Sequence, residues 1–465
     1  MKQKAVAALL LVAALAPSVS SMSATAEPTP TPTPSPAVAP YAIDLATALR
    51  LAGANAIDVQ IARERLNAAK AVAISTLTQL LPWLSAGTTY RRHGALIQDV
   101  VGNILTADKE SYTVGPSANL QVDVGDMVFR TLAARQAARA ADRQVETQQQ
   151  EVLLRAAQAY FELLEAQAFV AAATESLDIS RTYESQLQRA VEAGIAFKGD
   201  ALRVRVQAQR NQLTLQQARE QQRIQAARLA EILRLDPSIE LVANDVELAP
   251  LSVTSSADIP IDDLVRQAVS ARPEIAEAQS LVQAAAQTEK AAVYGPLIPT
   301  VAGQAFLGGL GGGKEAGPST FGASRDYFAT IGWRIGPGGL FDIGRVRASR
   351  ARLAEARSNV EKLRDSVGRQ VVEARTRVES QQQQMQTAKD ALAAAEEALR
   401  LTRARQEFEV GVVLENILAE QDQARARQDY ARALGEFNKA QYGLSRALGL
   451  LQTGPHSPAA PAVEP

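Results

Sequence analysis

The sequence predicts a mainly α fold with a β-barrel portion, built from a duplicated unit of long antiparallel helices plus a β hairpin. Three observations predict it. Sequence landmarks recur in order at a nearly constant offset of about 217 residues. Two long stretches, between Pro116 and Pro237 and between Pro337 and Pro455, contain no proline and are rich in Ala, Gln, Arg, Glu and Leu. Ahead of each lies a segment that alternates apolar and polar residues with the two-residue period of a strand.

The chain has 465 residues, with 49 Lys plus Arg against 50 Asp plus Glu and a formal charge of -1. That balance supplies no bulk attraction to nucleic acid or to an anionic membrane surface. With no cysteine, disulfides, thiolate metal sites, thiol catalysis and a lipidated N-terminal cysteine are excluded. Only His93 and His456 could supply imidazole chemistry, and neither falls near a candidate nucleophile and acid. No HExxH, calcium loop or paired-carboxylate spacing stands out. No enzyme, cofactor or metal is expected.

Residues 1–26 read as a secretory signal peptide. Lys2 and Lys4 precede the apolar run Ala5 to Ala16, and Ala24-Thr25-Ala26 offers a small-x-small cleavage site. The run is too short for a ~20-residue membrane span. Residues 27–41 form a Pro-rich linker, with proline at 28, 30, 32, 34 and 36, which is extended and stiff. A disordered tail is expected over 451–465.

The first repeat is placed at 42–250 and the second at 251–450. Leu81-Pro82 is echoed by Ile298-Pro299, Gly194 by Gly411, and Leu233-Arg234-Leu235 by Leu448-Gly449-Leu450. Each repeat opens with a helical stretch, Asp44 to Leu80 or Asp262 to Val293. A hairpin and a very long helical region follow, interrupted once at Gly194 or Gly411. In the second repeat Leu353, Val360, Leu363, Val367, Val371, Ala374 and Val378 step by seven, three and four, a narrow coiled-coil-like seam. From Arg345 to Glu409 such a helix would run ~65 residues, or roughly 100 Å at ~1.5 Å per residue.

Strands are expected at about 83–92, 112–124, 300–307 and 327–335. Over Tyr112 to Val124, Tyr112, Val114, Pro116, Ala118, Leu120, Val122 and Val124 share one face, with Thr113, Gly115, Ser117, Asn119, Gln121 and Asp123 on the other. Trp83 and Trp333 lie in this strand material, where aromatic girdles are expected. The glycine-rich stretch Gly308 to Gly317 is expected to be a surface loop, since it lacks the context of a phosphate cradle. Four strands in lipid would leave two unpaired edges and could not enclose a water-filled lumen. The barrel must therefore be shared among several chains.

Leu340-Phe341-Asp342-Ile343-Gly344-Arg345, together with Leu81-Pro82, Ala193-Gly194 followed by Asp200, and Leu448-Gly449-Leu450, resembles the TolC-like outer-membrane efflux proteins over roughly residues 42–450. The resemblance implies a homotrimer with a 12-stranded outer-membrane barrel, four strands per chain, continued by an α-helical periplasmic tunnel. It implies a passive channel of a tripartite efflux or secretion system, in contact with outer-membrane lipid, a periplasmic adaptor and an inner-membrane pump. Nucleic acid is not an implied partner. The implied periplasmic constriction carries over to Asp200, Phe408 and Glu420, and adaptor-contacting helix tips to Gly194, Gly199 and Gly411. One commonly acidic site is replaced by Ile417. Three copies of Glu420 on a symmetry axis would repel one another and attract cations; Glu420 and Asp200 also fit solvated helix-face charges. A periplasmic coiled-coil adaptor or structural protein is the alternative reading, and it leaves the alternating strands unused.

Overall fold

The computed structural model describes residues 40–244, 250–251, 259–313, 321–407 and 413–451, apart from the side chains of 406–407 and 413–414. The chain opens with β1 (Tyr41–Ile43), α1 (Leu45–Asn55) and α2 (Ile57–Thr78). A long hairpin follows: β2 (Trp83–His93), a small outgrowth of β3 (Leu96–Gln98) and β4 (Ile104–Thr106), then β5 (Lys109–Asp123). The helices α3 (Val124–Glu192) and α4 (Lys198–Leu233) and the short β6 (Leu241–Ala243) complete the first unit. The second unit runs through α5 (Ile261–Ala271), α6 (Pro273–Tyr294), β7 (Thr300–Gly313), β8 (Gly322–Gly332), α7 (Ile343–Glu407) and α8 (Val413–Ala447).

At 69 and 65 residues, α3 and α7 each extend about 100 Å. Helix propensity alone would not hold such lengths in one place; buried stripes do that. On α7 the predicted seam is the buried one. Val360, Val367, Val371 and Val378 are buried, and the last three pack with Leu264 and Ala268 of α5 and Phe437 and Leu444 of α8. A second core joins α1, α2, α3 and α4 around Tyr160, Leu163, Leu229 and Leu233. It also takes Tyr442 and Leu451 from the second unit. Beside it β1 pairs in parallel with β6, a contact between residues about 200 apart that no local pattern signals.

Three helix ends share one device. After α3, Ile195 N–H reaches Ala190 O (2.8 Å) and Gly194 N–H reaches Val191 O (3.0 Å), with Gly194 at φ 75°. After α8, Gly449 at φ 73° carries the same pair of bonds, from Leu450 to Ser445 and from Gly449 to Arg446. After α4 the left-handed position is filled by Arg234 at φ 61°. These are Schellman ends, in which a left-handed residue lets the chain turn back and cap the last carbonyls. The repeated Leu-x-Leu is thus one structural device used twice.

The main sheet is antiparallel, in the order β2-β5-β7-β8. Several expectations are corrected here. Gly308 to Gly313 is strand and not loop, because β5 extends far enough to pair with it; residues 314–317 lie outside the description. The last strand runs Gly322–Gly332, so Trp333 and Ile335 fall past its end. There the chain turns through Gly336 and Gly338, and Ile335 makes only an isolated bridge to Leu340. Val124 begins α3. Tyr41, assigned to the linker, is in β1, and Leu451, assigned to the tail, is buried.

Candidate functional site

The sheet is the first part of the site. Residues opposite one another in adjacent strands share a face, so the register sorts every side chain. One face carries Leu84, Ala86, Tyr90, Val114, Ala118, Leu120, Val122, Val301, Ala305, Leu307, Tyr327 and Ile331, interrupted by Thr88 and Arg325, with Arg92 and Glu110 at its outer end. The other carries Ser85, Thr89, Thr113, Ser117, Asn119, Gln121, Gln304, Thr330 and Asp326, interrupted by Phe306 and Phe328. On that polar face the Ser85 and Ser117 hydroxyls lie 2.8 Å apart, and Asn119 Nδ2 donates to both. Most of the apolar face is open: Leu84, Tyr327 and Ile331 are exposed, and Val122, at the end next to the helices, is buried. Trp83 stands in register with Asn119, on the polar face, while Trp333 donates from Nε1 to Leu297 O at 3.1 Å. The aromatic residues of the apolar face are instead Tyr90, Tyr112 and Tyr327.

The glycines of β7 have a packing reason. A Cβ at Gly311 would collide with the Tyr112 ring, and one at Gly309 with the Phe321 ring. Those two rings stack with centroids 5.9 Å apart. The rings lie over bare backbone and cover it, which offsets the weakness of glycine in a strand.

Where the sheet passes into the helices, the Leu340 to Arg345 motif acts as a clamp. Asp342 accepts the Arg345 N–H (2.9 Å) on one oxygen and the Gly338 N–H (2.9 Å) on the other, and these bonds hold its carboxyl below the usual range. Arg345 reaches Asp126 of α3 (3.4 Å) and the carbonyls of Ala291 and Ala292 on α6. One arginine thereby ties together the elements that leave the sheet.

The far ends of the long helices form the second part. Gly194 turns the chain after α3, and a Cβ at Gly199 would run into the Phe197 ring. Asp200 pairs with Arg203 one turn on, at 3.1 Å. Ile417 is buried among Tyr183, Leu187, Ala201 and Val204, which is why an apolar residue occupies it. Phe408 and Gly411 lie outside the described residues. Glu420 is not a solvated helix-face charge: its side chain is 14% exposed and lies 3.6 Å from Arg403 of α7. Burial pushes its carboxyl above the usual range, against the opposing pull of Arg403. Behind it a polar ladder links three helices: Gln421 to Gln207 (2.7 Å), Gln207 to Asn211 (3.0 Å), and Asn211 to the Ser180 hydroxyl (3.1 Å). Asp200 and Glu420 do not touch, but their neighbours Ala201 and Ile417 pack together. Sequence reading missed Arg403 and the ladder, since polar residues are spread along every helix face and only packing selects a few. Among the described residues, no group of three or more His, Cys, Asp or Glu could hold a metal.

The family model for outer membrane efflux proteins matches residues 48–233 and 264–450. The chain belongs to the outer membrane efflux protein family. Its two matched stretches coincide with the two structural units. Protein CyaE of Bordetella pertussis is 27% identical over 298 residues, covering 63% of this chain and 61% of that protein, so the similarity spans about three fifths of the relative. Among solved structures, the outer-membrane channel OprN superposes with a TM-score of 0.70 at 19% identity, over 87% of this chain and 89% of that one. The Campylobacter jejuni CmeC outer membrane channel gives 0.71 at 15% identity, over 87% and 85%. These likenesses establish a shared fold. Among the described residues, no helix of this outer-membrane efflux protein is long and apolar enough to cross a membrane.

Proposed function

We propose that three copies of this chain close a 12-stranded barrel in the outer membrane, continued on the periplasmic side by a tunnel built from α3, α4, α7 and α8. The assembly is a passive efflux or secretion duct that receives cargo from a periplasmic adaptor and an inner-membrane pump. The observation that carries this reading is the open sheet, largely apolar on one face and polar on the other, with β2 and β8 at edges unpaired among the described residues. In hydrocarbon each unpaired backbone group costs several kcal/mol, so the edges must meet partners, and the simplest partner for β8 is the β2 of another copy. The polar face then lines the water path. A periplasmic adaptor or structural coiled coil would give an uncovered apolar sheet no role.

In this reading residues 1–26 direct export and 27–40 form the tether. Glu420, Asp200 and Phe408 line the periplasmic constriction, and the tips at Gly194, Gly199 and Gly411 face the adaptor. Light scattering of the detergent-extracted protein should give the mass of three chains, and planar bilayers should give discrete conductance steps. Recovery of a folded single chain from salt-washed soluble periplasm would reject the duct.

A further inference from the structure

The hairpin β3–β4 stands at the end of the sheet remote from the helices, and it is built rather than loose. Asp99 accepts the N–H groups of Val101 (3.0 Å) and Asn103 (2.7 Å) on one oxygen and Asn103 Nδ2 (3.0 Å) on the other. Gln98 Nε2 adds a bond to Gly102 O at 3.2 Å, with Gly102 at φ 98°. This ordered turn displays Val100 and Val101 almost wholly exposed, with Leu96, Leu105 and Ile104 exposed beside them. An apolar knob of that kind in water calls for a cover.

Lipid is a poor cover. Between the knob and the apolar sheet face lies a charged collar, in which Arg92 pairs with Asp108 (3.1 Å) and Glu110 (3.4 Å). Such a collar belongs at or beyond the headgroups, which leaves the knob outside the hydrocarbon. Identical copies are a good cover. From Gly94 to Ala107 the one ionisable residue is Asp99, and its carboxylate is taken up by the turn, so like tips meet without like charges facing. The reach also suffices. Twelve strands ~4.8 Å apart and tilted ~40° give a barrel radius of roughly 12 Å. The six steps from Gly94 to Val100 extend ~20 Å at ~3.3 Å each, and the chain bends at their base, where Ala95 takes φ 99°.

We infer that the β3–β4 hairpin tip is a self-association surface whose partners are the same hairpins of the other two copies, and that the three Val100-Val101 tips meet over the outer mouth of the duct. This rests on the trimeric reading above. Because the chain has no cysteine, a single Val100→Cys variant is a clean probe. The full-length detergent-purified protein, oxidised with copper-phenanthroline, is expected to give disulfide-linked pairs of chains. Its single-channel conductance should fall at least twofold on oxidation and recover with dithiothreitol. Lys109→Cys, on the barrel wall, should give neither effect. A Val100→Asp/Val101→Asp variant should raise conductance by preventing the tips from meeting.

A particle with the mass of three chains in which Val100→Cys stays uncrosslinked and conductance is unmoved by oxidation or by the Asp pair would overturn the inference while leaving the duct intact. Strong quenching of a fluorophore at residue 100 by brominated lipid would also overturn it, in favour of a lipid contact. A mass of one chain would instead remove the trimer on which both readings stand.

Discussion

Arg234 and Gly449 hold equivalent positions in the two repeats, each the left-handed residue that ends a helix. A Cβ in that conformation costs about 1–2 kcal/mol that glycine avoids. Arg234→Gly should therefore stabilise the protein by about 1 kcal/mol, read as a later chemical-denaturation midpoint. Glu274 is a different case. Burial works to raise its carboxyl, but hydrogen bonds and charge from Arg272 and Arg446 outweigh it and bring the pKa from 4.5 to about 2. Since the folded value is depressed, the contribution is fully present above pH ~4.5 and is lost as pH falls through about 2. Removing the charge leaves the largely buried Arg272 with only the neutral Gln370 and Arg446 with only the longer contact to Glu151, so Glu274→Gln should cost about 3 kcal/mol at pH 7. Much of the acid sensitivity between pH 4.5 and 2 should go with it. Glu420 has the opposite sign. Its carboxyl is raised, so the folded state holds its proton longer than the unfolded chain, and stability declines as pH rises above 4.5 through the folded value. Glu420→Gln should flatten that decline in melting curves recorded from pH 4.5 to 8.

Within the sheet, the pleat makes a sharp contrast between neighbours. Ala118 lies on the apolar face and Asn119 on the polar one. If the apolar face meets lipid, Ala118→Arg should destabilise the barrel by about 2–4 kcal/mol near mid-bilayer. Asn119→Arg, one residue on, should leave folding nearly unchanged and alter conductance or ion preference. Urea-dependent folding into vesicles separates the two; equal costs would contradict the face assignment. The alternation over Tyr112 to Val122 was readable because a strand turns each successive residue to the opposite side. The glycines of β7 were not readable as strand. Their support is the Tyr112 and Phe321 rings, which come from β5 and from just ahead of β8.

The two repeats are alike in order but not independent. The core around Tyr160 and Leu229 is completed by Tyr442 and Leu451, and Arg446 of α8 reaches Glu151 of α3 at 3.7 Å. Residues 42–250 expressed alone should therefore lack a cooperative unfolding transition in calorimetry, and the whole chain should show one. The long helices, their seam and the two-fold repetition were legible because each is written in local periodicity. The likeness to the efflux family was legible because its markers sit at helix ends and strand-to-helix turns, where backbone geometry restricts the residue.

Local order along the chain thus settled which stretches are helix, which alternate as strand, and that the unit occurs twice, since propensity, capping and pleat act over a few residues. Which side chains face one another was decided only on folding. The pairing of Glu420 with Arg403, the polar ladder from Gln421 to Ser180, the β1–β6 contact and the rings over Gly309 and Gly311 all bring separate elements together. Contacts of that kind depend on how elements are brought together in space, and neither period nor composition encodes them one residue at a time.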